Sequence, residues 1–131
     1  MEQRKINPWK WQDRYGFSQG IEVTNAGRVL YCAGQASVDE NGKPVHAGDM
    51  RKQIEQAFHN LETVLKASGF GLANVVRLNY YTTDVDAFLG ASDIVGRRLG
   101  AAASQPSGTL LGVAKLAFPG LMIEIEATAV K

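Results

Sequence analysis

The last stretch of the chain alternates without interruption. Leu121, Ile123, Ile125, Ala127 and Ala129 fall on one side; Met122, Glu124, Glu126, Thr128 and Val130 fall on the other. A period of two marks a strand with one buried face, and predicts a strand over 121–130. Upstream the period changes. Ile54, Ala57, Phe58, Leu61, Val64, Leu65 and Ser68 recur at three- and four-residue spacing. This predicts one apolar stripe on a helix over 49–67, with Asp49 placed to cap its start and Gly69 to close its end. A shorter stripe, Phe88, Ala91, Ile94 or Val95, and Leu99, predicts a second helix opening at Asp84 or Asp86.

Between these lie the remaining strands. Residues 17–23 and 28–35 flank Asn25-Ala26-Gly27, a turn signal, and are expected to form a hairpin. Residues 74–82 are rich in β-branched and aromatic side chains, with Val76, Leu78 and Tyr80 on one face and Val75, Arg77, Asn79 and Tyr81 on the other. Residues 109–116 precede the tight turn Phe118-Pro119-Gly120 and pair with the last strand in a second expected hairpin. Residues 1–16 are expected to be an irregular lead, and 100–108 a loop. The order is ββαβαββ, an α+β sandwich with two helices on one face of a mixed sheet. Two helices cover one face only. The other carries Glu124 and Glu126 beside Leu110, Val75 and Tyr81, a part-apolar surface that copies of the same chain would cover economically.

Composition narrows the classes. The 131 residues correspond to one domain, 1–131. Fourteen Lys and Arg oppose 13 Asp and Glu, a net charge of +1, so the cation surplus of a nucleic-acid binder is missing. The single cysteine, Cys32, excludes an intrachain disulfide and a Cys cluster for a metal. The start lacks an apolar run suited to a signal peptide, and no stretch is apolar enough to span a bilayer. The chain is therefore read as soluble and cytoplasmic, with no membrane or nucleic-acid partner.

Several segments together resemble the YjgF/RidA family. They are Phe17-Ser18-Gln19-Gly20, Ala33-Gly34-Gln35, and the helix carrying Gln53 and Asn60-Leu61. Next come Val75-Val76-Arg77-Leu78 with Thr82-Thr83-Asp84-Val85, and Gly112-Val113-Ala114-Lys115-Leu116. The most specific is Ile123-Glu124-Ile125-Glu126-Ala127. The resemblance runs over nearly the whole chain. It implies a chorismate-mutase-like fold, a homotrimer with an inner barrel of three sheets, and small-molecule clefts between subunits.

Family deaminases hydrolyse 2-imino acids or their enamine tautomers to 2-oxo acids and ammonia. That chemistry asks for a cation on the substrate carboxylate and a carboxylate on the water, with no metal or cofactor. The resemblance makes Glu124 the water-handling carboxylate. It places the family's arginine at Gly108, between Ser107 and Thr109, and no Lys or Arg occurs between Arg98 and Lys115. Further departures are Phe17 for a tyrosine, Leu110 for a cysteine, and Ala33 for a serine or threonine before Gly34. Phe17, Phe88 and Leu110 are expected to wall the cleft, with Ala33 and Gly34 shaping it. The expected function is small-metabolite binding or turnover without efficient imine deamination. Two alternatives stand beside it. One is a deaminase whose anion clamp comes from elsewhere, such as backbone amides near Ser107-Gly108-Thr109. The other is a non-enzymatic interaction protein. Some family members are labelled endoribonucleases, but neutral charge and the lone His46 and His59 argue against RNA cleavage here. If only the clamp is missing, Gly108→Arg is expected to restore deamination, and Phe17→Tyr to add to it.

Overall fold

The computed structural model describes residues 1–131. The chain runs β1 (Glu2–Ile6), β2 (Gly20–Thr24), β3 (Val29–Tyr31), β4 (Gln35–Ala36), α1 (Met50–Ala67), β5 (Val75–Thr82), α2 (Val85–Gly90), α3 (Ser92–Ala101), β6 (Leu110–Gly112) and β7 (Ile123–Val130). Short 3₁₀ turns occupy Trp11–Tyr15 and Leu72–Asn74.

The helices follow their stripes. Asp49 is extended, and its carboxylate accepts from Lys52 N–H at 3.0 Å, satisfying one orphan donor of α1. Ile54, Ala57, Phe58, Leu61 and Leu65 are buried against the sheet. The second helical stretch divides at Ala91 into α2 and α3, with Asp84 capping α2 by accepting from Ala87 N–H. The division keeps Phe88, Ala91, Ile94 and Leu99 in one buried row. Arg98, on α3, is tied to Glu55 and Glu62 of α1. Gln53, fully buried, donates to the carbonyls of His46 (3.0 Å) and Gly120 (2.7 Å) and accepts from Met122 N–H (2.8 Å). It thus fastens α1 to the entry of β7.

The main sheet is mixed and open, in the order β3-β7-β5-β6, with β4 also on β7. β5 and β7 run antiparallel at its centre, while β6 lies parallel to β5. The alternation holds up to Ala129: Leu121, Ile123, Ile125, Ala127 and Ala129 are buried, and Met122, Glu124, Glu126 and Thr128 are half-buried on the far face, while Val130, expected with the latter, is buried at the strand's end.

The strand partners differ from expectation. The lead is ordered, because β1 pairs antiparallel with β2 from Glu2 opposite Thr24 to Ile6 opposite Gly20. Neither expected hairpin forms. β3 pairs with β7, not with β2, and β6 pairs with β5, not with β7. The turn residues only redirect the chain; β2 finds its partner in the lead instead, which satisfies its backbone groups. The expected strand 28–35 is interrupted. Tyr31 opposes Thr128 and Gln35 opposes Ile125, so four steps on one strand match three on the other, a bulge spanning Cys32–Gly34. A second irregularity between Val75 and Arg77 turns Val75 into the core, correcting its place beside Arg77. Of 109–116 only three residues are strand.

Candidate functional site

The bulge at Cys32–Gly34 brings the main chain under Glu124. A Cβ built on Gly34 would overlap Glu124 Oε1 and lie 2.7 Å from its Cδ, so the carboxylate occupies space that only glycine leaves open. Across the sheet Glu124 is flanked by Ala36 on β4 and Tyr81 on β5. Ala33, beside Gly34, is exposed. Two residues further along β7, Glu126 Oε1 accepts from the Tyr81 hydroxyl at 2.6 Å and from Asn79 Nδ2 at 3.1 Å. These two bonds hold the Glu126 carboxyl below its ordinary range, and the same contact pushes the Tyr81 phenol up.

The second group gathers at the sheet's β6 edge. Ser18 donates through its amide to Pro106 O (3.2 Å) and through its hydroxyl to Gln105 O (2.6 Å), which seats Phe17 against the loop leading to β6. Trp11 meets the Phe17 ring edge-on at 5.7 Å between centroids. The amide and hydroxyl of Ser107 both donate to Val76 O, at 3.0 and 2.8 Å. Gly108 lies against the Leu78 carbonyl. The Thr109 carbonyl accepts from Tyr80 N–H, and its Oγ1 accepts from Arg77 Nη2 at 3.2 Å. Leu110 is half-buried on the core.

Phe88 belongs to neither group. It is buried between the helices and the sheet, its ring 5.3 Å from that of Tyr80, so the expected cleft residue is a core residue of the protomer. Burial pushes the Tyr80 phenol up, which keeps it neutral. No cluster of three or more His, Cys, Asp and Glu side chains is placed to hold a metal ion.

The two groups do not converge within one protomer. Tyr81 is opposite both Glu124 and Leu111, so Glu124 and Gly108 are two strand spacings and three residues apart, roughly 14 Å. The expectation that Gly108→Arg merely restores a missing side chain also fails geometrically. A Cβ on Gly108 would overlap the Leu78 carbonyl oxygen and lie 2.9 Å from its carbon.

The family model described as endoribonuclease L-PSP matches residues 12–131. The chain belongs to the YjgF/RidA family. Among Rid-family structures, a protein of unknown function from Yersinia pestis superposes with a TM-score of 0.88 at 35% identity, covering 100% of both chains. A RutC family protein of Pyrococcus horikoshii is 30% identical over 88% of this chain and 86% of its own. A 2-iminobutanoate/2-iminopropanoate deaminase of Dermatophagoides farinae is 27% identical over 87% of this chain and 84% of its own. The family's α+β fold is therefore that of this chain, and some of its relatives are imine deaminases.

Within this Rid-family frame, four polar residues escaped the sequence reading: Arg77, Asn79, Tyr81 and Glu126 as Tyr81's acceptor. Their alternation on β5 placed three of them on one face. What linked them was the register of β5 with β7 and β6, which no spacing displays. No helix is long and apolar enough to cross a membrane.

Proposed function

We propose that this single-domain chain assembles as a cytoplasmic homotrimer and binds or transforms a small metabolite in clefts completed between copies. In this reading it is not an efficient 2-imino acid deaminase. The observation that carries the reading is the separation of the two groups. Glu124 with Gly34 sits toward the β4 side of the sheet, while Phe17, Ser107, Gly108, Thr109 and Leu110 sit at the β6 edge. A small substrate spans only part of roughly 14 Å. One cleft can use both groups when the β6 edge of one copy approaches the Glu124 side of another. The half-covered face bearing Tyr81, Glu124 and Glu126 supports the same assembly. Glu124 is then the residue that handles water or a substrate proton, and the poor deamination follows from Gly108.

Light scattering is expected to give three times the 14.2 kDa chain mass, and a monomer mass at micromolar concentration would end the assembly reading. Hydrolysis of 2-iminopropanoate, generated in situ by an amino-acid oxidase, is expected to run roughly tenfold to hundredfold below that of an arginine-bearing relative. An equal rate would refute the assignment of weak activity.

A further inference from the structure

Around Thr109 the donors outnumber the acceptors. Arg77 projects from β5 on the face away from the helices and is exposed. Its guanidinium carries five N–H groups, of which Nη2 donates to Thr109 Oγ1 at 3.2 Å. No carboxylate pairs with it: the arginines in ion pairs are Arg4, Arg51, Arg97 and Arg98. Glu126, on the same face, is already engaged by Tyr81 and Asn79.

The main chain adds two more donors. A regular parallel ladder would have Thr109 N–H donate to Leu78 O, since Leu78 N–H donates to Ser107 O and Tyr80 N–H to Thr109 O. Here the Leu78 carbonyl is pressed toward Gly108, and neither Gly108 N–H nor Thr109 N–H finds a protein acceptor. A planar cation, two adjacent free amides and a hydroxyl form a setting for an anion, with Glu126 within reach of the Arg77 charge but bonded to Tyr81 and Asn79. The guanidinium fork matches the two oxygens of a carboxylate.

We propose that Arg77, oriented by Thr109 and joined by the amides of Gly108 and Thr109, binds the carboxylate of a small organic acid at the β6 edge. The charge that position 108 lacks would thus come from the neighbouring strand. This rests on the cleft reading above, because the β6 edge is one half of that cleft. It also accounts for Gly108 as more than a deletion: the glycine lets the Leu78 carbonyl approach and frees the amide of Thr109. The competing role is a structural one, in which Arg77 only staples β5 to β6.

The test uses the assembled, ¹⁵N-labelled protein and pyruvate as probe, with pyruvamide as its uncharged counterpart. Pyruvate is expected to shift the Gly108 and Thr109 amide resonances saturably, and pyruvamide is not. Arg77→Gln is expected to weaken pyruvate at least about tenfold, and Arg77→Lys less, because the charge stays while the fork is lost. Thr109→Val is expected to weaken it a few-fold by releasing the guanidinium. Both substituted residues are exposed, and unchanged spectra elsewhere verify folding. The proposal is overturned if neither amide shifts, if pyruvamide acts like pyruvate, or if Arg77→Gln binds as the parent does. Shifts that gather at Gly34 and ignore Arg77 would leave the cleft reading standing and remove this one. Shifts that depend on Arg77 in a protein found to be monomeric would do the reverse.

Discussion

Gly108 and Leu78 touch where a side chain would begin. A Cβ built on Gly108 would overlap the Leu78 carbonyl oxygen, with the carbonyl carbon at 2.9 Å and the nitrogen at 3.6 Å. The obstruction is backbone of a central strand, which cannot swing aside as a side chain can. The glycine therefore serves a close approach of two chains, since its φ lies outside the left-handed region.

Gly108→Ala is accordingly expected to destabilise the fold by on the order of 2–3 kcal/mol, read as a lowered urea midpoint. Gly108→Arg should be at least as unstable and should not recover deamination, even with Phe17→Tyr. A Gly108→Ala protein as stable as the parent would show that β6 shifts at little cost, and would reopen the rescue.

Gly34 presents the opposite case. What a Cβ meets there is the end of the Glu124 side chain, which has rotatable bonds with which to retreat. Gly34→Ala is expected to leave thermal stability within about 1 kcal/mol of the parent while displacing the Glu124 carboxylate. Whatever binding or turnover depends on Glu124 should fall to the level of Glu124→Gln. If Gly34→Ala keeps full function while Glu124→Gln loses it, the contact between the two residues has no bearing on the site.

The Tyr81–Glu126 bond makes a pH prediction. The folded Glu126 carboxyl lies below the ordinary value of a glutamate, held there first by Tyr81 and then by Asn79. A depressed carboxylate contributes stability that is present above its unfolded pKa and is lost as pH falls through its folded one. Tyr81→Phe removes the larger cause. Urea unfolding at fixed protein concentration should show the parent ahead near pH 6. That lead should shrink as the pH is lowered past the ordinary glutamate range. A lead that stays constant across the range would mean that the hydroxyl acts through packing alone.

The alternation of 121–129 and the stripes of α1 and of α2 with α3 were legible in the sequence, as were the cap Asp49 and, as one of two candidates with Asp86, the cap Asp84. Each depends on a period or a signal carried within a few residues of one element. The family, and with it the absence of an arginine at 108, was legible for the same reason: short ordered motifs survive in the linear chain. Partners were not legible. Residues 2–6 have no apolar alternation of note, and they become a strand because β2 needs a neighbour once β3 has gone to β7. Val75 entered the core because an irregularity between it and Arg77 shifted the register at the start of β5, while Arg77, Leu78 and the residues after them kept their expected faces.

The sequence by itself thus determined the helical stretches, the central strands and their apolar faces, and the presence of glycine at 108. The tertiary structure alone decided that Glu124 and Gly108 lie too far apart for one protomer to use both, that Phe88 belongs to the core, and that Arg77 stands beside Thr109. Periodicity is set locally by backbone geometry, whereas pairing is set by burial and hydrogen-bond satisfaction across the whole chain, and it is pairing that brings side chains from distant segments together.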